Sequence, residues 1–443
     1  MLRTSIGIVL ACLMLGSVSA HPWSSYHGDP QHTGLSSTVV GDSIWIAWTY
    51  TAGGQISGSP VVTSANRIIF GARDVRLYCL KSEGTVDWIS NTLPGSNIYF
   101  STPALDDSGN IYVTTSQKLV KVDSAGNILW SWPTYNLSIS HSPVIGNDGK
   151  IYFACYSDSL YALTPDGSLA WSRYLGNGVN SSPAVGHDGR IYVATTRGTG
   201  PWKLWAFNPD STLAWSYDLA GDADFASPTV GPDSTIYVGA NRYLYAIRPN
   251  GSLKWRDSLA ARIQSCPAIA NDSTLYVLVE SWLYCVDTDS GVRWRKSISP
   301  SSFYSAPVVD AAGNVYIGSN NTFYVIAPDS TVLCACPLGV TSSLFASPAI
   351  GPNRRVYVGY MNNIFYAFEG YVPPVFDVGV TKIDSPPGSI NYGTTVTPAC
   401  SVYNYGNTTE TYMVRMKIGT FYEESTQVVG HVNGAYTYVI FPS

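Results

Sequence analysis

A chain of 443 residues with a formal net charge of −5 has room for one large β domain and something smaller. Only 12% of it is charged, against ~25% in an ordinary domain, and 31 tyrosines with abundant Ser, Thr, Asn and Gly take the place of Lys and Glu. No Lys/Arg cluster interrupts the chain, which argues against a nucleic-acid or anionic-lipid partner, because both need a basic patch.

In chain order, the first element is an export signal. Arg3 precedes an apolar stretch from Ile6 to Leu15, and Val18-Ser19-Ala20 offers a small-x-small cleavage site ahead of His21, so residues 1–20 are expected to be removed. A lipoprotein reading of Val9-Leu10-Ala11-Cys12 places the cysteine inside the apolar stretch and is the weaker alternative. No later run reaches the ~18 apolar residues of a spanning helix. The mature chain is therefore expected to be a monomer without a transmembrane segment, in the periplasm or at the cell surface.

Next comes a strand without companions, Ile44-Trp45-Ile46-Ala47-Trp48-Thr49-Tyr50. After it a repeat takes over residues 21–370. Ser-Pro or a close variant, then an aliphatic-Tyr pair, then a Trp, recurs around Pro60, Pro103, Pro143, Pro183, Pro228, Pro267, Pro307 and Pro348. The clearest unit reads Ser142-Pro143-Val144-Ile145, Ile151-Tyr152-Phe153-Ala154, Leu160-Tyr161-Ala162-Leu163 and Leu169-Ala170-Trp171. Each run is short, β-branched or aromatic, and closed by a Gly/Asn/Asp turn, which predicts four strands per unit. Self-similarity near 40 residues with strand content is the mark of a β-propeller, here eight-bladed. A nine-residue spacing aligns third and fourth strands: Cys79 with Trp88, Lys121 with Trp130, Ala162 with Trp171, Ala206 with Trp215, Ala246 with Trp255, Cys285 with Trp294, and Val325 with Cys334. The eighth unit ends near Tyr371 without a Trp strand, so the orphan strand holding Trp48 is expected to complete it and close the ring, hiding both strand edges.

Three residues before each anchoring proline stand Ser57, Phe100, Ser140, Asn180, Phe225, Gln264, Tyr304 and Phe345. At the start of the innermost strands they would ring one mouth of the channel, either plugging it or contacting a peptide or sugar. The recurring acids Asp107, Asp148, Asp166, Asp188, Asp210, Asp233 and Asp329 sit beside Gly, Ser or Asn in hairpin turns, where Asp bonds its own following backbone. So few oxygens per turn do not make a calcium site. Seven cysteines remain after residue 20, scattered among blades, and Cys334 with Cys336 is the one close pair. No paired histidine spacing, G-x-S-x-G or H-E-x-x-H occurs.

After a linker at 371–375 the repeat stops. Residues 376–443 alternate in a new pattern, with strands expected at 377–383, 394–402, 411–418, 427–429 and 436–441, a small antiparallel immunoglobulin-like sandwich. Asp-Val-Gly-Val at 377–380, Gly-x-x-Val-x-Pro at 393–398 and Val-x-Asn-x-Gly at 402–406 resemble the bacterial cell-adhesion-related (CARDB) module. About five strands fit before Ser443, so the module is expected to be incomplete.

Ala-x-x-x-Asp-Gly-x-x-x-Trp at residues 162–171, with the Ser-Pro and Ile-Tyr-Val strands, resembles the repeat of pyrroloquinoline-quinone (PQQ) propellers. That superfamily holds quinoprotein dehydrogenases and a non-catalytic branch that includes the propeller lipoprotein of the outer-membrane barrel-assembly machine. The resemblance implies an eight-bladed fold over roughly residues 22–370. For an enzyme it implies adjacent bonded cysteines and a calcium held by Glu, Asn and Asp, and no two cysteines here are adjacent. The expectation is an exported, non-catalytic propeller binding protein, peptide or glycan, with no catalytic, cofactor or metal residues assigned. A PQQ-dependent oxidoreductase and an outer-membrane assembly scaffold are the alternatives.

Overall fold

The computed structural model describes residues 21–441 apart from 134–140, 157, 197–199, 290, 299–303, 340, 372–377, 386–396, 398, 406–407 and 419–421. The expected signal peptide, Ser140 and most of the linker lie outside the described residues. The chain divides into two compact units, Met1–Tyr371 and Val372–Ser443.

The first unit is a ring of eight four-stranded antiparallel sheets. Blades 1 to 7 span residues 61–89, 104–133, 144–174, 184–219, 229–258, 268–297 and 308–337, each running from the axis outward in chain order. Blade 8 takes its inner three strands from residues 349–371 and its outer strand from Ser43–Thr51. That leading strand pairs antiparallel with Ile364–Tyr371, from Ser43↔Tyr371 to Thr51↔Ile364, and places Trp48 opposite Ala367. The N-terminus closes the ring where the sequence required it.

Packing explains the repeat signature. Second strands such as Ile151–Cys155 are buried at every residue, because each sheet is covered on both faces by its neighbours. The Tyr of the aliphatic-Tyr pair reaches back to the preceding turn: Tyr152 donates to Asp148 Oδ2 at 2.9 Å and Tyr112 to Asp106 Oδ2 at 3.1 Å. It also packs on the Trp of its own blade, as in Tyr152–Trp171, 5.7 Å between ring centres, and Tyr357–Trp48, 6.0 Å. The nine-residue pairs are direct cross-strand partners: Ala162↔Trp171, Ala206↔Trp215, Ala246↔Trp255 and Cys285↔Trp294.

Each indole is tied to the next blade. Nε1 of Trp48, Trp88, Trp130, Trp171, Trp215, Trp255 and Trp294 donates to a carbonyl in the following blade's outer turn, at 2.6 to 3.1 Å. In four of these turns the ring lies over a glycine, Gly84, Gly126, Gly167 and Gly251, whereas Ser211 and Ser330 take the left-handed position in two others. Gly167 has φ +90, and a Cβ there would meet Trp130 at 3.0 Å, so the Asp-Gly of the repeat serves both turn geometry and clearance. Cys334 replaces Trp in blade 7 for a structural reason. Blade 8 draws its outer strand from the other end of the chain and so has no outer turn to receive an indole, and Cys334 Sγ faces Ile44 O at 3.6 Å. Trp171→Phe is expected to lower stability by about 1 kcal/mol through the lost bond to Pro209 O. Cys334→Trp is expected to raise nothing. Denaturant midpoints at unchanged m-value check both.

A second belt runs at the inner radius. The Ser-Pro hydroxyl accepts from the backbone N–H of the preceding blade: Thr102 N to Ser142 Oγ, Ser142 N to Ser182 Oγ, Ser182 N to Ser227 Oγ, and across the closure Ser347 N to Ser59 Oγ, all 2.8 to 3.1 Å. It is interrupted where Cys266 and Ala306 replace Ser.

The second unit holds a three-stranded sheet, Val378–Ser385, Ala399–Asn404 and Tyr436–Ile440, and a hairpin of Glu410–Ile418 with Tyr422–His431. Cys400, Val402, Val414, Val428, Val439 and Phe441 form its core, consistent with a small β-sandwich. The strand expected at 427–429 starts at Tyr422, because the polar run from Glu423 to Thr426 carries no apolar alternation to announce it.

Candidate binding site at the propeller axis

The axis is filled from both ends. At one end the segment 21–42 lies across the ring and is bonded to the innermost strand of blade after blade. Val62 N donates to Trp23 O, Leu105 N to Ser24 O, Val185 N to Pro30 O, Val230 N to Gln31 O, Ile269 N to Thr33 O and Val309 N to Gly34 O, all 2.7 to 2.9 Å. Two tight turns drive its interior residues into the axis. Gly28 N donates to Ser25 O at 3.1 Å, and His32 N to Asp29 O at 3.0 Å, while the Asp29 carboxylate accepts from Thr33 N and from the Thr33 hydroxyl. Gly34 has φ +65, and a Cβ there would meet the His27 ring at 2.4 Å.

His27 and His32 are thereby enclosed, with Tyr26 and Asp29 half-buried beside them. Both His27 nitrogens face carbonyls, Nε2 to Pro307 O at 2.7 Å and Nδ1 to His32 O at 2.8 Å, a pair of acceptors that the imidazolium satisfies and the neutral ring does not. Burial acts the other way and lowers the His27 pKa. His32 donates from Nδ1 to Pro228 O at 3.0 Å, and burial, then the nearby His27, pushes it down to about 3. Burial raises Asp29, with the Thr33 bonds opposing.

At the opposite mouth four of the sequence-predicted residues meet one another. Phe100 contacts Phe225 and Phe345 at 5.3 Å each, Phe225 contacts Tyr304 at 4.6 Å, and Tyr304 stacks on Phe345 at 4.9 Å, closing a square of rings. Phe100 and Phe225 hold φ of +47 and +63, a left-handed backbone unusual for aromatic residues. Such local strain persists only where surroundings over-determine it, here by ring packing. Ser57 joins these four around a cavity of about 30 Å³, closed from the other side by Tyr26 and completed by Ser59, His141, Ser182 and Ser227.

The remaining candidates stand apart. Asn180 is buried, bonded by His141 Nε2 at 2.6 Å, and donates to Asp224 at 2.5 Å. Arg262 continues this polar network to Asp222 at 2.6 Å and Asp224 at 3.4 Å. Burial pushes His141 down to about 4. Gln264 is half-buried and borders no part of the small cavity.

Most of the acidic residues act as expected of turns: the Oδ1 of Asp148, Asp166, Asp188, Asp210, Asp233 and Asp329 accepts the backbone N–H two residues on. In blade 2 the capping carboxylate is Asp106, one residue ahead of Asp107, because Asn110 N and Ser108 N converge on it. Among the described residues no group of three His, Cys, Asp or Glu side chains is placed to hold a metal. Cys334 and Cys336 are free thiols, and burial pushes Cys79, Cys155, Cys266 and Cys285 up to about 12. Burial, then the neighbouring Cys334, also raises Cys336, so at pH 8 thiol reagents are expected to modify Cys334 ahead of the other propeller cysteines, read by mass spectrometry of the native protein. A three-ring quinone does not fit the axial cavity of about 30 Å³, which has room for a few waters at most.

Sequence reasoning missed the axial segment. A usable signal was the density of turn formers and histidines from His21 to Gly34, which has neither strand nor helix periodicity.

Eight sheets, an indole tie between blades and a closing leading strand define an eight-bladed β-propeller. Residues 119–334 match the family model described as outer membrane protein assembly factor BamB. No curated protein matches the sequence. Among solved structures, a europium-containing methanol dehydrogenase is 13% identical with a TM-score of 0.66, covering 79% of this chain and 98% of its own. BamB from Moraxella catarrhalis is 14% identical with a TM-score of 0.60, covering 74% and 100%. A streptogramin B lyase is 14% identical with a TM-score of 0.50, covering 75% and 100%. At such identities the likeness concerns the fold alone.

Proposed function

We propose that this chain is an exported, non-catalytic propeller that works as a binding scaffold in surface attachment, envelope assembly or ligand capture. The observation that carries the reading is the filled axis: the segment 21–42 and the aromatic square leave about 30 Å³ between them, so recognition falls to the surfaces. The match of residues 119–334 to a family described as an outer-membrane assembly factor supports an envelope location. Ser57, Phe100, Phe225, Tyr304 and Phe345 form the centre of a proposed contact surface for peptide or sugar, with the half-buried Gln264 as an outlying polar group.

Immobilised protein is expected to retain envelope proteins or array glycans, and Phe100→Ala with Tyr304→Ala to weaken capture at the mouth at least about tenfold, the loss of a two-ring anchor. Titration with PQQ and calcium is expected to leave the absorbance spectrum and dye reduction unchanged. A bound quinone spectrum with turnover of an alcohol would replace the scaffold reading by the oxidoreductase one.

A further inference from the structure

Blade 3 breaks the pattern at the axial rim. Its innermost strand is built like the others: Gly146 N donates to Lys150 O, which makes Val144↔Tyr152 the bonded pair and Ile145↔Ile151 the unbonded one. The N–H and C=O of Ile145 therefore point away from the sheet and toward the axis, as in the six blades bonded by the N-terminal segment. Here the segment has left the rim. After Ser24 O it turns through Gly28, carries Tyr26 and His27 into the axis, and returns only at Pro30 O on blade 4.

The gap is a groove of about 520 Å³ with Ile145 on one side and Ser24, Ser25 and Pro30 on the other. Ser25, 3% exposed, borders it, and its buried hydroxyl has no hydrogen-bond partner. An unmet buried hydroxyl is costly, which marks it as a group awaiting a partner. Ile350 of blade 8 is the other rim residue the segment passes by, and it is 1% exposed, whereas Ile145 is half-buried and borders the groove. Asp106 and Asp107 face the groove against one Lys121. The Lys121 ammonium is held by Pro165 O at 3.0 Å and lies 5.2 Å from the Tyr112 ring centre, leaving the groove negative in balance.

We propose that the groove between blades 2 and 3 binds an extended peptide segment carrying a basic side chain, which bridges Ile145 as the protein's own segment 21–42 bridges the other blades. It rests on the reading of the chain as a binding scaffold and names the kind of partner. The peptide carbonyl accepts from Ile145 N–H and its amide donates to Ile145 C=O, a short case of strand addition to an exposed edge. A second peptide oxygen accepts from the Ser25 hydroxyl, and the Lys or Arg side chain meets Asp106 and Asp107.

The full chain is panned against phage displaying random nonapeptides with Lys fixed at the centre, and in parallel with Glu fixed there. The Lys pool is expected to enrich, and the selected peptides to lose at least about tenfold in affinity on Ile145→Pro and on Ser25→Ala. Proline is compatible with this position because its missing N–H faces away from the ladder, and an unchanged melting curve confirms the folded variant. Should Ile145→Pro unfold, amide exchange at Ile145 in the parent protein is expected to slow on adding a selected peptide. Failure of the Lys pool to enrich over the Glu pool, equal binding by the folded variants, unslowed exchange at Ile145, or displacement of peptides by glycans alone would each overturn the proposal. Envelope proteins retained equally by parent and Ile145→Pro would overturn the groove and leave the scaffold reading standing.

Discussion

Deletion of residues 21–51 is expected to abolish cooperative folding, leaving aggregates in place of a monomer on size exclusion and no single transition by tryptophan fluorescence. The deletion removes the outer strand of blade 8 and the whole axial segment together. Trp23, Val40 and Ile44 are fully or nearly buried in the core cluster shared with blades 1, 7 and 8. At about 1.5–3 kcal/mol for each buried large side chain, with the rim and strand hydrogen bonds added, the loss is on the order of 10 kcal/mol, comparable to the whole net stability of a domain. The Ile364–Tyr371 strand would be left with an open edge, a template for pairing between molecules. A synthetic peptide of residues 21–51 added during refolding is expected to restore the monomer. A deletion variant that melts cooperatively near the parent temperature would show that the ring closes without its leading strand.

Unfolding free energy is expected to fall by about 2 kcal/mol per pH unit between pH 6 and pH 4.5. His32 and His141 are enclosed, and burial holds them at about 3 and about 4 against 6.5 in the open chain. With the folded values depressed, the unfolded chain binds the extra protons. The histidines' contribution is therefore complete above pH 6.5 and is lost as pH falls toward 4 and then 3. Below that window the turn carboxylates Asp123, Asp166, Asp210 and Asp329, held low by bonds from neighbouring hydroxyls, amides and backbone N–H groups, add losses of their own. Asp29, raised by burial, acts with the opposite sign. Urea titrations at pH 7, 6, 5 and 4.5 measure the slope, and His32→Gln is expected to remove about half of it. A flat profile from 7 to 4.5 would mean that neither ring is enclosed in the folded state.

Residue spacing carried the ring because every determinant of a blade is local. A Trp nine residues after its partner fixes a hairpin register, and a period near 40 fixes the number of hairpins. Ring closure was legible for the same reason: Trp48 lacked a blade and the eighth blade lacked a Trp. The axial segment was opaque because its partners lie far along the chain, 154 residues for Gln31 with Val185 and 280 for His27 with Pro307. The mouth was half legible. Spacing from the prolines brought Phe100, Phe225, Tyr304 and Phe345 to one place, but whether they line an opening or close it depends on backbone angles and mutual stacking that no single repeat encodes.

The pairing Ser43↔Tyr371 has a mechanical meaning. The incoming and outgoing ends of the propeller sit side by side at the same end of one two-strand ladder, so tension entering beyond Tyr371 loads that first pair alone and peels the ladder bond by bond instead of shearing all of it at once. What resists the peel is the knot of hydrogen bonds that Gly34, Ser36, Thr38 and Val40 make along blade 7, just upstream of the seam.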